Sequence, residues 1–296
     1  MTGVTGYLGS RLARRLLHEG MKVTGLKRPS SRLNRVGPLL NDLELVDIAE
    51  GWELSLNQLF AERKFEVVIH VATCYGRNGE PLSVVQSSNV DFPLKLLELS
   101  ARHGVPLFLN TDTFFNTPQL NYEYLAPYAL SKKHFWEWGK LFAAQQKIKF
   151  FNLKLFHVFG EGDGDQKFIA LIAQQLIRNV PEIALTDGTQ ERDFIYVEDV
   201  LDAYILLLRE VKNMSTFCLE IEVGSGVLSS VSGVIRLLRE LSGSNSQLNF
   251  GALPQRSGEL PSVPAEISFL KKLGWAPKYS LRAGLEKVIA EIVSRH

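Results

Sequence analysis

Three glycines spaced three apart, Gly3, Gly6 and Gly9, open this 296-residue chain and run straight into a helical pattern. Leu8, Leu12 and Leu16 recur at helical spacing, Gly20 ends the run, and residues 21–26 then read as a strand. Few folds accept such a turn. Gly3 permits the tight bend, Gly6 lets the backbone approach a phosphate, and Gly9 allows close packing of the helix. The helix N-terminus then offers free amides and partial positive charge to a pyrophosphate. Gly3, Thr5, Gly6, Tyr7 and Leu8 are therefore the expected cradle of a dinucleotide cofactor.

A buried central strand should precede this turn, yet only Met1 and Thr2 do. Losing that strand would remove several buried side chains at about 1.5–3 kcal/mol each, from a net stability of about 5–15 kcal/mol. The expectation is that the first strand lies upstream of the given sequence. Further strands are read at residues 43–48, 65–72, 105–110, 149–156 and 217–223, with a helix over 93–99 ending near Gly104. This alternation predicts an α/β fold, a Rossmann-type doubly wound parallel sheet. Residues 1–157 and 193–223 are assigned to the dinucleotide-binding domain. Residues 158–192 and 224–296, richer in Gly, Pro and Ser, are assigned to a smaller substrate-binding lobe.

A net charge of +1 gives no electrostatic footprint for nucleic acid or an anionic membrane. Apolar runs such as Val67-Val68-Ile69 are strand-sized, which speaks against a transmembrane helix. The cysteines, Cys74 and Cys218, lack metal-type spacing, so no metal site and a reducing, cytoplasmic setting are expected.

The end of the second strand selects the cofactor. An acid there would hold both ribose hydroxyls and repel a 2′-phosphate. This chain has Leu26-Lys27-Arg28-Pro29 instead, and Lys27 and Arg28 are suited to pair with that phosphate. NADP(H) is expected in preference to NAD(H). Asp47 and Ile48, closing the third strand, are placed to meet the adenine edge, and Ala72, closing the fourth, is a further expected contact.

Far downstream stands Tyr128-Ala129-Leu130-Ser131-Lys132. A phenol with an ordinary pKa near 10 needs its anion stabilised to move protons at neutral pH. Lys132, four residues on, shares the helix face of Tyr128 and supplies that charge. The fifth strand runs into Asn110-Thr111-Asp112-Thr113-Phe114-Phe115, at the sheet edge that faces a ligand crevice. Thr111 is the expected hydroxyl that orients the substrate oxygen, with Thr113 the alternative.

Together with Arg192-Asp193-Phe194-Ile195-Tyr196-Val197-Glu198-Asp199-Val200, these motifs resemble the extended short-chain dehydrogenase/reductases that act on nucleotide sugars. Gln255-Arg256-Ser257-Gly258-Glu259 and Leu273-Gly274-Trp275-Ala276-Pro277 follow in the same order. Within that family, the run from Asn179 to Phe194, Asn110 to Phe115 and Leu155-Phe156-His157 are similar to the CDP-abequose and CDP-paratose synthases. The resemblance implies that Arg192 and Arg256 clasp a nucleotide diphosphate, as guanidinium forks do. It implies that Asp112, Thr113 and His157 line the sugar pocket, with a core role for His157 an equal alternative.

Dehydratases of this family follow the catalytic Thr with Asp-Glu, and here Thr113 replaces the Glu that acts as base. Epimerases carry the acid that Lys27 and Arg28 displace. Net NADPH-dependent reduction of a 4-keto sugar is what remains, with a 4-epimerase or 4,6-dehydratase the alternative. A non-catalytic NADP(H) sensor is a reading of another class, but such proteins tend to lose the Tyr/Lys pair that is present here. The aromatics Phe135, Trp136, Trp138 and Phe142 form part of the core, and a homodimer docked through this helix is expected.

Overall fold

The computed structural model describes residues 1–116, 125–255 and 263–295. Helix α1 (Tyr7–His18) leads to β1 (Val23–Lys27), β2 (Leu43–Asp47), α2 (Trp52–Glu62) and β3 (Val67–His70). Helix α3 (Leu82–Gln86), a π-turn (Ser87–Asp91) and α4 (Phe92–Arg102) form one continuous helical run. Strand β4 (Leu107–Thr113), α5 (Ala126–Ala144) and β5 (Lys149–Leu155) follow. Then come β6 (His157–Phe159), α6 (Phe168–Ile177), β7 (Glu182–Leu185), β8 (Glu191–Tyr196), α7 (Val197–Glu210) and β9 (Cys218–Val223). Strand β10 (Leu228–Ser230), α8 (Val231–Ser242), β11 (Gln247–Phe250), α9 (Ser268–Lys272) and α10 (Leu281–Ser294) complete the chain. No described helix is long and apolar enough to cross a membrane.

Contacts divide the chain into two compact units, the first drawn from Met1–Leu120, Leu125–Lys154 and Ile205–Ile221. Strands β1 and β2 pair in parallel, as do β3 and β4, and the larger sheet has the order β3-β4-β5-β9. Met1 and Thr2 lie between the two parallel pairs. Leu26 N donates to Met1 O at 2.8 Å and Thr2 N to Ile69 O at 2.9 Å, so this dipeptide pairs on both sides as a central strand does. The expected fold class is what the structure has.

Burial explains why these strands form. All seven residues of β4 are buried, as a strand covered on both faces requires. Phe108 stacks on Phe150 of β5 at 5.5 Å, and Phe135 of α5 meets both rings edge-on. Helix α5 presents Tyr128, Lys132, Phe135, Gly139 and Ala143 inward at helical spacing. Gly139 is small for a reason: a Cβ there would stand 2.3 Å from the Phe150 ring. Of the aromatics on α5, Phe135 is fully buried, whereas Trp138 is 42% exposed. The sequence reading ends the fifth strand at Asn110, but β4 continues through Thr113. That extension carries both candidate hydroxyls on the strand itself.

The second unit contains Leu155–Tyr204 and Glu222–His296. Its sheets have the orders β10-β8-β6 and β11-β7. The sequence reading groups residues 193–204 with the dinucleotide-binding domain. Contacts group them here, because β8 pairs with β6 on one side and with β10 on the other. Asp193 of β8 is the brace of this unit. Its Oδ1 accepts from Ser225 N and Ser225 Oγ at 2.7 and 2.6 Å. Oδ2 accepts from Gly226 N and Ala265 N at 2.8 and 3.0 Å. Asp199 does similar work, accepting from Lys278 N and Tyr279 N at 2.8 and 3.2 Å. Replacing Asp193 with Asn turns one acceptor into a donor facing buried donors. Asp193→Asn should lower unfolding stability by about 3 kcal/mol, measured by urea denaturation.

Candidate active site

The glycine turn forms as a cradle. Gly3 has φ of +68°, and a Cβ there would stand 2.6 Å from Ala72 N. Gly6 N donates to Gly3 O at 2.9 Å, which closes the turn. Helix α1 then starts at Tyr7, with no side-chain cap at Gly6 and no acid in its first turn. Thr2 Oγ1 accepts from Val71 N and Ala72 N, both at 3.1 Å, and contacts His70 Nδ1 at 2.8 Å. With both lone pairs taken, the Thr2 hydroxyl hydrogen goes to Nδ1. Burial, reinforced by the charge of Lys132, holds the His70 pKa well below its ordinary value, so His70 is neutral. Open amides at a helix start, beside a turn where only glycine fits, suit a dinucleotide pyrophosphate. The residues present fit that group.

The basic residues at the end of β1 divide. Lys27 Nζ pairs with Asp47, its register partner on β2, whereas Arg28 is exposed. Two arginines not anticipated from sequence stand close by. The guanidinium groups of Arg11 and Arg35 lie 5.4 and 5.7 Å from the Tyr7 ring centre. Arg11 carries a sequence signal, since it follows Tyr7 by four residues on α1. Arg35 carries none, because a loop brings it back. Ile48 N donates to Lys27 O at 2.7 Å, and the Ile48 side chain is half-buried.

Helix α5 sets Tyr128 and Lys132 against β4. Tyr128 is 4% exposed and Lys132 2%. Lys132 Nζ donates to Thr111 O at 2.7 Å, so Thr111 contributes its carbonyl to the lysine. Thr113, at the end of β4, neighbours the Tyr128 phenol. Burial depresses the Lys132 pKa to about 8, against the opposing pull of Asp112. Tyr128 is pushed well above its ordinary value by burial first, then by Tyr75 and Asp112. Thr113 and Arg77 act the other way. The sequence reading has Lys132 lowering the phenol pKa; here desolvation dominates, and the ammonium is directed to a carbonyl instead.

Asp112 is buried, and its carboxylate is taken up by protein donors. Its Oδ1 accepts from Thr113 N at 2.7 Å, and its Oδ2 from Asn116 Nδ2 and Asn152 Nδ2 at 2.8 and 2.6 Å. Residues 108, 110 and 112 share one face of the strand, where Phe108 meets α5 and Asn110 Nδ2 donates to Asn152 Oδ1 at 2.6 Å. The carboxylate from which a sugar contact is expected is thus a buried acceptor of three hydrogen bonds.

Tyr75 was not anticipated. Its ring lies 4.8 Å from that of Tyr128, with the Arg77 guanidinium 4.8 Å from the Tyr75 ring.

In the second unit, β6 and β8 place His157 opposite Phe194, beside Arg192. Burial drives the His157 pKa down to about 3, and the charges of Arg192 and Lys167 add to this. A neutral imidazole packed 5.5 Å from the Phe194 ring is the result. Arg192 Nη1 donates to Glu191 O at 2.7 Å. Arg256 lies outside the described residues. Among them, no cluster of His, Cys, Asp and Glu could hold a metal ion.

Comparison with known proteins gives a consistent family assignment. The profile described as the NAD dependent epimerase/dehydratase family matches residues 1–218. A CDP-abequose synthase of Salmonella muenchen is 34% identical, over 98% of this chain and 96% of that one. A CDP-abequose synthase of Salmonella typhimurium is 33% identical, over 99% and 97%. Among solved structures, UDP-glucose 4-epimerase of Thermotoga maritima with UDP-glucose superposes with a TM-score of 0.84 at 22% identity, covering 99% of this chain and 98% of that one. UDP-glucuronic acid 4-epimerase of Bacillus cereus, in complex with UDP-glucuronic acid and NAD, also gives 0.84 at 22%, covering 100% and 98%. At that identity the two structures carry the fold alone.

Proposed function

Because the chain belongs to the NAD dependent epimerase/dehydratase family, we propose that it reduces the 4-keto group of a CDP-linked 4-keto-3,6-dideoxyhexose, with NADPH as the reductant. The observation that carries this reading is the burial of Tyr128 and Lys132 on one face of α5 against the end of β4, where Thr113 stands. An elimination needs a base at that position, and a hydroxyl is a poor one. A carbonyl reduction needs a proton donor with a hydroxyl beside it, which Tyr128 and Thr113 supply.

Gly3, Gly6 and the first amides of α1 would hold the pyrophosphate. Arg28, with Arg11 and Arg35 near the Tyr7 ring, would favour a 2′-phosphate, while Asp47 engages Lys27. A reduced nicotinamide held there would supply the hydride that the carbonyl carbon needs. Tyr128 gives its phenolic proton to the developing alkoxide oxygen, and Thr113 donates a hydrogen bond to the same oxygen. Lys132 stabilises the phenolate left behind until solvent returns the proton. Arg192, with Arg256, would bind the diphosphate of the sugar nucleotide. The similarity to CDP-abequose synthases supports a CDP-linked deoxysugar.

The test is the loss of reduced-nicotinamide absorbance with that substrate. The expected result is turnover with kcat/KM at least about tenfold higher for NADPH than for NADH, a difference of ~1.4 kcal/mol. Equal use of the two cofactors would remove the 2′-phosphate assignment. Interconversion of UDP-hexoses without net cofactor consumption would replace the reductase reading with a 4-epimerase.

A further inference from the structure

Between β3 and α3 the chain passes through Tyr75-Gly76-Arg77, and Gly76 bends it there with φ of +69°. Only glycine takes up that conformation without strain. A Cβ on Gly76 would also stand 3.1 Å from Val85 Cγ2 of α3, so the bend sits closely on that helix. It brings the Arg77 guanidinium to 4.8 Å from the Tyr75 ring centre, a cation on an aromatic ring. The Tyr75 ring in turn lies 4.8 Å from the Tyr128 ring, tilted 38° from it.

The two neighbouring rings differ in exposure. Tyr128 is 4% exposed, whereas Tyr75 is 36% exposed. Open aromatic surface beside a buried proton donor is surface that a ligand can cover. A sugar whose O4 receives the Tyr128 proton brings the neighbours of its C4 up to that surface. On a 3,6-dideoxyhexose, C3 is a methylene; on a 6-deoxyhexose it carries a hydroxyl. An aromatic ring meets the methylene without loss, but it strips water from a hydroxyl and returns no partner.

We propose that Tyr75 is the residue that selects a sugar deoxygenated at C3, its ring packing on the C3 methylene. This rests on Tyr128 being the proton donor to O4 in the proposed reduction. Tyr75 passes no proton or hydride; it acts by contact with the sugar.

The test compares two CDP-linked 4-keto sugars that differ only at C3, the 3,6-dideoxy compound and the 6-deoxy compound bearing the 3-hydroxyl. The parent should favour the first about 30- to 100-fold in kcat/KM, the range an apolar wall reaches against an added hydroxyl. Tyr75→Ala should bring the two within about threefold of each other, and Tyr75→Phe, which keeps the ring, should keep the parental ratio. Fluorine NMR of protein carrying fluorotyrosine at position 75 gives a readout apart from turnover. With NADP+ present, its resonance should shift on titration with the CDP-linked 3,6-dideoxyhexose and hold still with CDP alone.

A parental ratio in Tyr75→Ala overturns the proposal, whatever its kcat. Lost selectivity in Tyr75→Phe also overturns it, because the phenolic oxygen and not the ring would then read C3. A resonance that CDP alone moves as far as the sugar nucleotide does is equally fatal. Should Tyr75→Ala fail to fold, Tyr75→Gln decides, since its amide offers a partner to a 3-hydroxyl; a parental ratio there overturns the proposal. If Tyr128→Phe turns over like the parent, the reductase reading fails and this proposal with it. If Tyr128→Phe is inactive while Tyr75→Ala keeps the parental ratio, only the role of Tyr75 fails.

Discussion

Tyr128→Phe should lower kcat about 1,000-fold, within the range that a positioned acid contributes, while leaving the protein folded. Only the phenolic oxygen is lost. The ring keeps its packing at 4.8 Å from Tyr75, and Lys132 keeps its bond to Thr111 O. Thermal melting and KM for the nucleotide sugar should stay close to the parent, which places the loss in the transition state. Stopped-flow oxidation of NADPH under single-turnover conditions reads the chemical step directly. A rate within tenfold of the parent would take the proton donor away from residue 128. The pH dependence has a definite sign. Burial depresses the Lys132 pKa to about 8, so its ammonium is present below that pH and lost above it. The kcat/KM of the parent, which reports the free enzyme, should therefore fall as pH rises through about 8.

Gly9→Ala is expected to lower dinucleotide affinity at least about 100-fold, or ~2.7 kcal/mol. In an ordinary helix the same change stabilises by about 1 kcal/mol. Here the added Cβ would stand 2.0 Å from Gly3 O and 2.6 Å from Gly3 C. Neither atom can retreat, because Gly3 itself is backed by Ala72 N, 2.6 Å from where a Cβ on Gly3 would lie. The helix start must then move away from the turn, and its amides leave the phosphate position with it. Overpacking of this kind also costs about 1–3 kcal/mol of stability. Calorimetric titration with NADPH and a thermal melt measure the two effects separately. Parental affinity would mean that the cofactor is not held at this turn.

The two predictions differ in how much of their basis is legible in the chain. The glycine spacing and the four-residue step from Tyr128 to Lys132 are local periodicities, and local periodicity survives in one dimension. Strand positions were similarly readable, because parallel strands buried on both faces are runs of apolar residues. The destination of Asp112 was not readable. Whether a strand-end carboxylate faces a ligand or the core depends on which face packs on α5, and on finding Asn116 and Asn152 there to satisfy it. The pairing of Lys27 with Asp47 joins residues 20 apart, through a strand register that no short window contains.

What the sequence determined by itself was the α/β order, the glycine turn and the placing of Tyr128 and Lys132 on one helix face, since each rests on neighbours within one or two turns of chain. Only the tertiary structure decided that Thr111 serves the lysine through its carbonyl. It also decided that Asp112 is a buried acceptor and that Lys27 pairs with Asp47. Those outcomes depend on which donors and acceptors remain unpaired once the sheet and helices are packed. Burial makes an unpaired polar group costly, so the packed fold, and not the local residue pattern, fixes where each of these side chains points.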